Sequence, residues 1–139
     1  MTQARVFQLA LSTMTGDATL MTNLTGGVYL TEAPQSVTPP YGIIAQQSTL
    51  RDIQGRASQV VMGRGLMTVT AWGFPADMVG KLVPAADRFD TLLNSLLGAA
   101  GGVTVIRVVR DRELFLKAPV GATGVEEVGI GAVYQWWAQ

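Results

Sequence analysis

A chain of 139 residues suits a single core, and its 48% apolar and 14% charged residues exclude a disordered polymer while leaving little charge to coat a lone soluble molecule. Ten Lys and Arg balance ten Asp and Glu, so no net field draws the chain to nucleic acid or to an anionic membrane, and protein partners are expected. With neither Cys nor His, disulfides, thiol nucleophiles, imidazole bases and sulfur- or imidazole-ligated metals are all excluded, so neither conventional catalysis nor a cofactor is expected.

Val6, Leu9, Ala10 and Met14 recur at helical spacing, which predicts a core-packed helix over residues 2 to 14, ended by Gly16. Asp17 can cap a second, short helix carrying Leu20, Met21 and Leu24, which Gly26 and Gly27 stop. Val28 to Leu30 reads as a short strand. Pro34, Pro39 and Pro40 make residues 32 to 40 an extended loop, because proline fixes φ and gives no ladder donor. Residues 41 to 47 read as a strand, 48 to 59 as a polar loop, and 60 to 74 as a strand interrupted at Gly63-Arg64-Gly65. In that strand Leu66, Thr68, Thr70 and Trp72 share one face, and Met67, Val69 and Ala71 the other.

Pro75 suits a first helical position, and Asp77 lies four residues before Lys81, so the main helix is expected to begin here. Leu82, Ala86, Phe89, Leu93, Leu96 and Leu97 form its apolar stripe. Pro84 should kink its first turns, and Gly98 with Gly101-Gly102 should end it. Residues 103 to 109 and 114 to 117 read as two strands of a hairpin turning through the polar Arg110 to Glu113. A Gly-rich loop over 119 to 124 leads to a last strand, 126 to 137, with Val128, Ile130, Ala132, Tyr134 and Trp136 on one face.

Helices near the start and middle, with hairpin-like connections between strands, give an α+β fold. Its expected form is one antiparallel or mixed β-sheet with helices packed mainly on one face, residues 1–139 making a single domain. The other face has less chain to cover it, and an apolar open face is a docking surface. No segment reaches 18 uninterrupted apolar residues and no signal peptide is visible, so a soluble protein made in the cytoplasm is expected.

The remaining routes to chemistry are weak. Glu126 and Glu127 are adjacent in a strand and point to opposite faces, so they cannot converge on one bond. Asp111 and Glu113 sit beside Arg110 and Arg112, where an exposed mixed-charge turn or the rim of an interface explains them. Nothing local places a serine beside Lys81 or Lys117, and the glycine pairs lack any nucleotide-binding fingerprint. Arg51, Arg56 and Arg64 make residues 48 to 65 locally basic: either a solvated loop or an arm reaching a neighbouring subunit. Of the terminal pair Trp136 and Trp137, one ring should complete the core. Trp137 is then either a loose terminal residue or an interface anchor. The candidate interface is thus Arg51, Arg56, Arg64, Arg110, Arg112 and Trp137.

Gly26-Gly27-Val28-Tyr29-Leu30 followed by Ala33-Pro34-Gln35 and Pro39-Pro40-Tyr41-Gly42-Ile43-Ile44 resembles the opening of the tail-terminator (tail-completion) proteins of lambda-like long-tailed bacteriophages. Val69-Thr70-Ala71-Trp72-Gly73 before a helix, and a closing aromatic strand with Tyr134, are similar to the same family. The Gly/Arg-rich stretch over 55 to 65, Pro84 and the double Trp depart from its pattern. The resemblance implies a virion subunit of the tail or neck, forming a hexameric ring that caps the tail tube, halts its polymerisation and meets the head-completion proteins. DNA would pass the lumen without sequence-specific contact. Alternatives are a head-completion or connector adaptor, and, in a different class, a monomeric small-ligand carrier whose cavity Met62, Met67, Met78 and aromatics would line.

Overall fold

In a computed structural model of the chain, the described residues are 2–49, 53–54, 60–94, 96, 98–100, 103–118 and 126–139. Helix α1 (Thr2–Thr15) buries Val6, Ala10 and Met14, one residue per turn. Helix α2 (Ala18–Asn23) starts on Asp17, whose carboxylate accepts the Leu20 N–H at 3.0 Å and so satisfies one of the free donors of the first turn. The same carboxylate accepts Nε and Nη2 of Arg88, each at 2.8 Å, a bidentate pair that ties α2 to the main helix. That guanidinium holds the Asp17 carboxyl below its ordinary value of 3.8.

The strands are β1 (Val28–Leu30), β2 (Tyr41–Thr49), β3 (Ile53–Gln54), β4 (Val60–Gly73), β5 (Gly98–Ala100), β6 (Val103–Lys117) and β7 (Val128–Ala138). They form one mixed sheet in the order β1-β2-β4-β7-β6-β5, with β3 beside β4. β1 pairs with β2 in parallel, and every other pairing is antiparallel. Helix α3 (Val83–Asn94) packs with α1 and α2 on one face, so the α+β reading describes the molecule.

A tight turn at Pro75–Asp77 and a wider turn at Met78–Leu82 precede α3. Pro84 has no N–H for the carbonyl one turn back, and just before it Val83 N–H reaches to the Met78 carbonyl instead, an i to i+5 bond. The expected kink takes this form. The buried stripe runs through Leu82, Ala85, Phe89 and Leu93; Ala85 takes the place expected of Ala86, and the helix spans Val83–Asn94, with Leu97 outside the described residues. Gly98 opens β5 rather than capping the helix.

Two further expectations are corrected. The supposed hairpin over residues 103 to 117 is a single strand, because β7 pairs with it on both sides of the polar run: Arg110 with Tyr134, Arg112 with Val133, Glu113 with Ala132. Bulges between Val105 and Arg107 and between Arg110 and Arg112 absorb the extra residues. Nor does Gly63-Arg64-Gly65 interrupt β4. Gly65 lies under the Trp136 indole, where a Cβ would stand 2.7 Å from a ring carbon, so the glycine serves packing and not chain reversal.

Met67, Val69 and Ala71 of β4 and Ala132, Tyr134 and Trp136 of β7 face the helices and form the centre of the core. The second face is less open than expected. Residues Thr31 to Val37 pass over one end of it and share a groove of about 580 Å³ with Tyr41, Ile43 and Trp72. At its middle Thr70 and Val133 are buried. Of the exposed apolar side chains, Leu116 of β6 lines that groove, whereas Ile106 and Phe115 of β6, Leu30 of β1, and Val79 and Val83 around the start of α3 lie outside it.

Candidate assembly interface

β6 is bordered by β7 on one side. On the other, β5 pairs only with Val103, Thr104 and Val105, so from Ile106 to Lys117 no further strand of the described residues adjoins it. A bare edge this long is a template for pairing with another chain. Arg110, Asp111, Arg112 and Glu113, together with the bulges, guard its middle, because charge and local twist oppose strand addition. Phe115, 56% exposed, and Leu116 lie outside that guard.

Between α3 and β6 a cleft of about 410 Å³ is lined by Val83, Ala86, Phe115 and Ile130, with Arg110, Glu113 and Tyr134 also in its wall. Arg110 lies 3.7 Å from Asp90 and 3.4 Å from Glu113. Tyr134 donates its hydroxyl to Asp90 at 3.4 Å. Burial, and then the Asp90 charge, push the Tyr134 phenol well above its ordinary value, which keeps it a protonated donor. The network joins α3 to β7 and β6.

On the opposite face the register builds a row across three strands. Arg64 of β4 stands opposite Trp137 of β7, and Trp137 stands opposite Arg107 of β6. The Arg107 guanidinium lies 5.6 Å from the Trp137 ring centroid, within cation–π range. Arg64 Nε is buried without a hydrogen-bond partner among the described residues.

The residues singled out from sequence are therefore dispersed. Arg51 and Arg56 lie outside the described residues. Arg110 is held by Asp90 and Glu113, and Arg112 by Asp111 at 3.1 Å, on the edge strand and not at a hairpin tip. Only Arg64 and Trp137 come together, joined by Arg107, which sequence reasoning missed. Its position beside Trp137 depends on a bulge at residue 106 in a pairing between distant segments, and nothing local signals it. Trp136 is the ring that enters the core, while Trp137 is half-buried on the other face.

The remaining polar groups pair with neighbours in the fold. Glu126 pairs with Lys117 at 3.6 Å, and Glu127 accepts the Tyr41 hydroxyl at 3.3 Å, so the adjacent carboxylates serve separate partners. Lys81 lies 3.9 Å from Asp77. Among the described residues no cluster of three acidic side chains could hold a metal. Met67 is packed into the core and Met78 against it, and neither lines the cleft or the groove.

No protein-family model matches the chain, and neither does any curated protein. A chain in the solved virion of a native gene transfer agent (GTA) particle is similar over 99% of this chain and 96% of its own, with a TM-score of 0.67 and 12% identity. A second solved chain matches over 100% of this chain and 96% of its own, with a TM-score of 0.61 and 16% identity. At these identities the likeness is one of fold: a mixed sheet, helices on one face, shared from end to end.

Proposed function

We propose that this chain is a structural subunit of a phage-type particle, and that within it the chain is a tail terminator. Copies form a ring, hexameric by the family resemblance, that caps the tail tube, stops its polymerisation and presents a surface to the head-completion proteins. DNA passes the lumen without base-specific contact, and the site requires neither catalysis nor a cofactor. The observation that carries the reading is the near-complete, two-way correspondence of fold with a chain of a GTA virion particle. The order of sequence motifs through Pro39-Pro40-Tyr41 and Ala71-Trp72-Gly73 adds the narrower role.

Physical features support assembly. A closed ring needs a heterologous contact, one surface of a subunit against a different surface of the next. This chain has dissimilar unfinished surfaces: a strand edge with Phe115 and Leu116, an apolar cleft beside α3, and a basic row on the far sheet face.

Electron microscopy of particles made without this protein tests the role. Overlong tubes lacking heads are the expected result. Tails of normal length, joined to heads or free, overturn the terminator reading.

A further inference from the structure

We propose that copies of this chain meet head to tail across the helix-free sheet face, the row Arg64–Trp137–Arg107 of one copy receiving the Glu32 loop of the next. The inference deepens the ring reading above and rests on it.

Among the described residues the basic row has no anion beside it: neither Arg64 nor Arg107 has a carboxylate within ion-pair distance. Arg64 Nε is buried without a hydrogen-bond acceptor among the described residues, which a charged group tolerates poorly. Two guanidiniums flank a single indole, one of them set over its ring, so their like charges repel and both gain from a shared carboxylate.

The acids among the described residues narrow the choice of partner; Asp52 lies outside them. Asp17, Asp77, Asp90, Asp111, Glu113 and Glu126 each pair with a cation, and Glu127 accepts from Tyr41. Glu32 and Asp87 have no such partner among the described residues. Asp87 faces the cleft on the helix side, where Arg110 also lies. Glu32 is exposed and lines the groove on the same sheet face as the basic row, together with Glu127.

Geometry sets the contact between copies and not within one. Arg64 stands at one end of β4 and Trp72, in the wall of the Glu32 groove, at the other, eight rises of about 3.3 Å or roughly 26 Å apart. One face thus carries a basic end and an acidic end, the polarity a head-to-tail contact needs. The acidic end is also held in place. Thr31 turns the chain at φ 68°, a left-handed conformation rare for a β-branched residue, and its N–H donates to the Ile44 carbonyl at 2.8 Å.

Sedimentation velocity of the purified chain over rising concentration tests the contact. Glu32→Arg and Arg107→Glu should each weaken self-association about tenfold or more, and the double reversal should restore it. Circular dichroism melts within a few degrees of the parent show that the variants fold; Arg107→Gln, which removes the charge and keeps a polar side chain, replaces Arg107→Glu if that variant does not fold, and should weaken association in the same direction. Because the chain has no Cys, Arg107→Cys with Glu32→Cys should give disulfide-linked oligomers that neither single variant gives. A parent chain that stays monomeric throughout, single variants that associate like the parent, or rescue of Arg107→Glu by Asp87→Arg and not by Glu32→Arg each overturn the proposal. Normal tails in the null particles would remove the terminator role and leave this contact standing; failed rescue would remove the contact and leave the role.

Discussion

β7 and β6 lie side by side with registered hydrogen bonds along nearly their whole length, yet they live in different environments. Along β7, eight of eleven residues are buried, including Val133 on the face away from the helices. Along β6, despite Val103, Val105, Val108 and Val109, exposed residues predominate, and Phe115 is more than half accessible. Composition explains part of the difference, since β6 carries Arg107, Arg110, Asp111, Arg112, Glu113 and Lys117 and β7 has no charged residue, but it does not explain the exposure of Phe115 and Leu116. β7 has long strands on both sides and helices above it, whereas β6 has three residues of β5 on its outer side. A strand's burial is decided by its neighbours, and an apolar strand left at the edge is available to another molecule.

The largest effect expected from this contrast is at the centre. Trp136→Ala should cost about 3–5 kcal/mol in denaturant unfolding, because the indole is fully enclosed and fills the space left by Gly65. A cost under 1 kcal/mol would mean that β7 is not the centre of the core.

The helical layer over β7 should respond to acid. The folded Asp17 carboxyl is depressed by Arg88, so the unfolded state takes up its proton first, near 3.8, and the folded state at lower pH. The clamp therefore contributes in full above about pH 5 and is lost as pH falls through the folded value. Asp17→Ala should remove about 1 kcal/mol through the lost cap alone and flatten the acid limb of the stability profile. An acid limb identical to the parent's would show that the clamp does not form.

At the edge the stability effect should be smallest. Phe115→Ser should change unfolding free energy by no more than about 0.5 kcal/mol while reducing incorporation into particles. A stability loss as large as that at Trp136 would place Phe115 in the core, and unchanged incorporation would remove the edge from the interface.

Much of the fold was legible from local pattern. Asp17 as a cap, Gly16 and Gly26-Gly27 as stops, the alternation of Met67, Val69 and Ala71, and the prolines of residues 32 to 40 each act through the backbone of their own segment. The errors share one cause. Arg110 to Glu113 is a polar run that a turn would also use, and only a pairing strand can hold it extended. Gly65 has the same ambiguity between breaking a strand and admitting a ring from the next one.

The sequence by itself determined where the chain must stop, turn and present an apolar stripe, because caps, prolines, glycines and side-chain periods work over a few residues. It also ruled out thiol and imidazole chemistry through the residues it lacks. Only the tertiary structure decided which strand became the edge, which tryptophan entered the core, and that Arg64, Trp137 and Arg107 stand in one row. Those outcomes depend on register between segments dozens of residues apart, and a bulge of one residue is enough to turn a side chain to the opposite face.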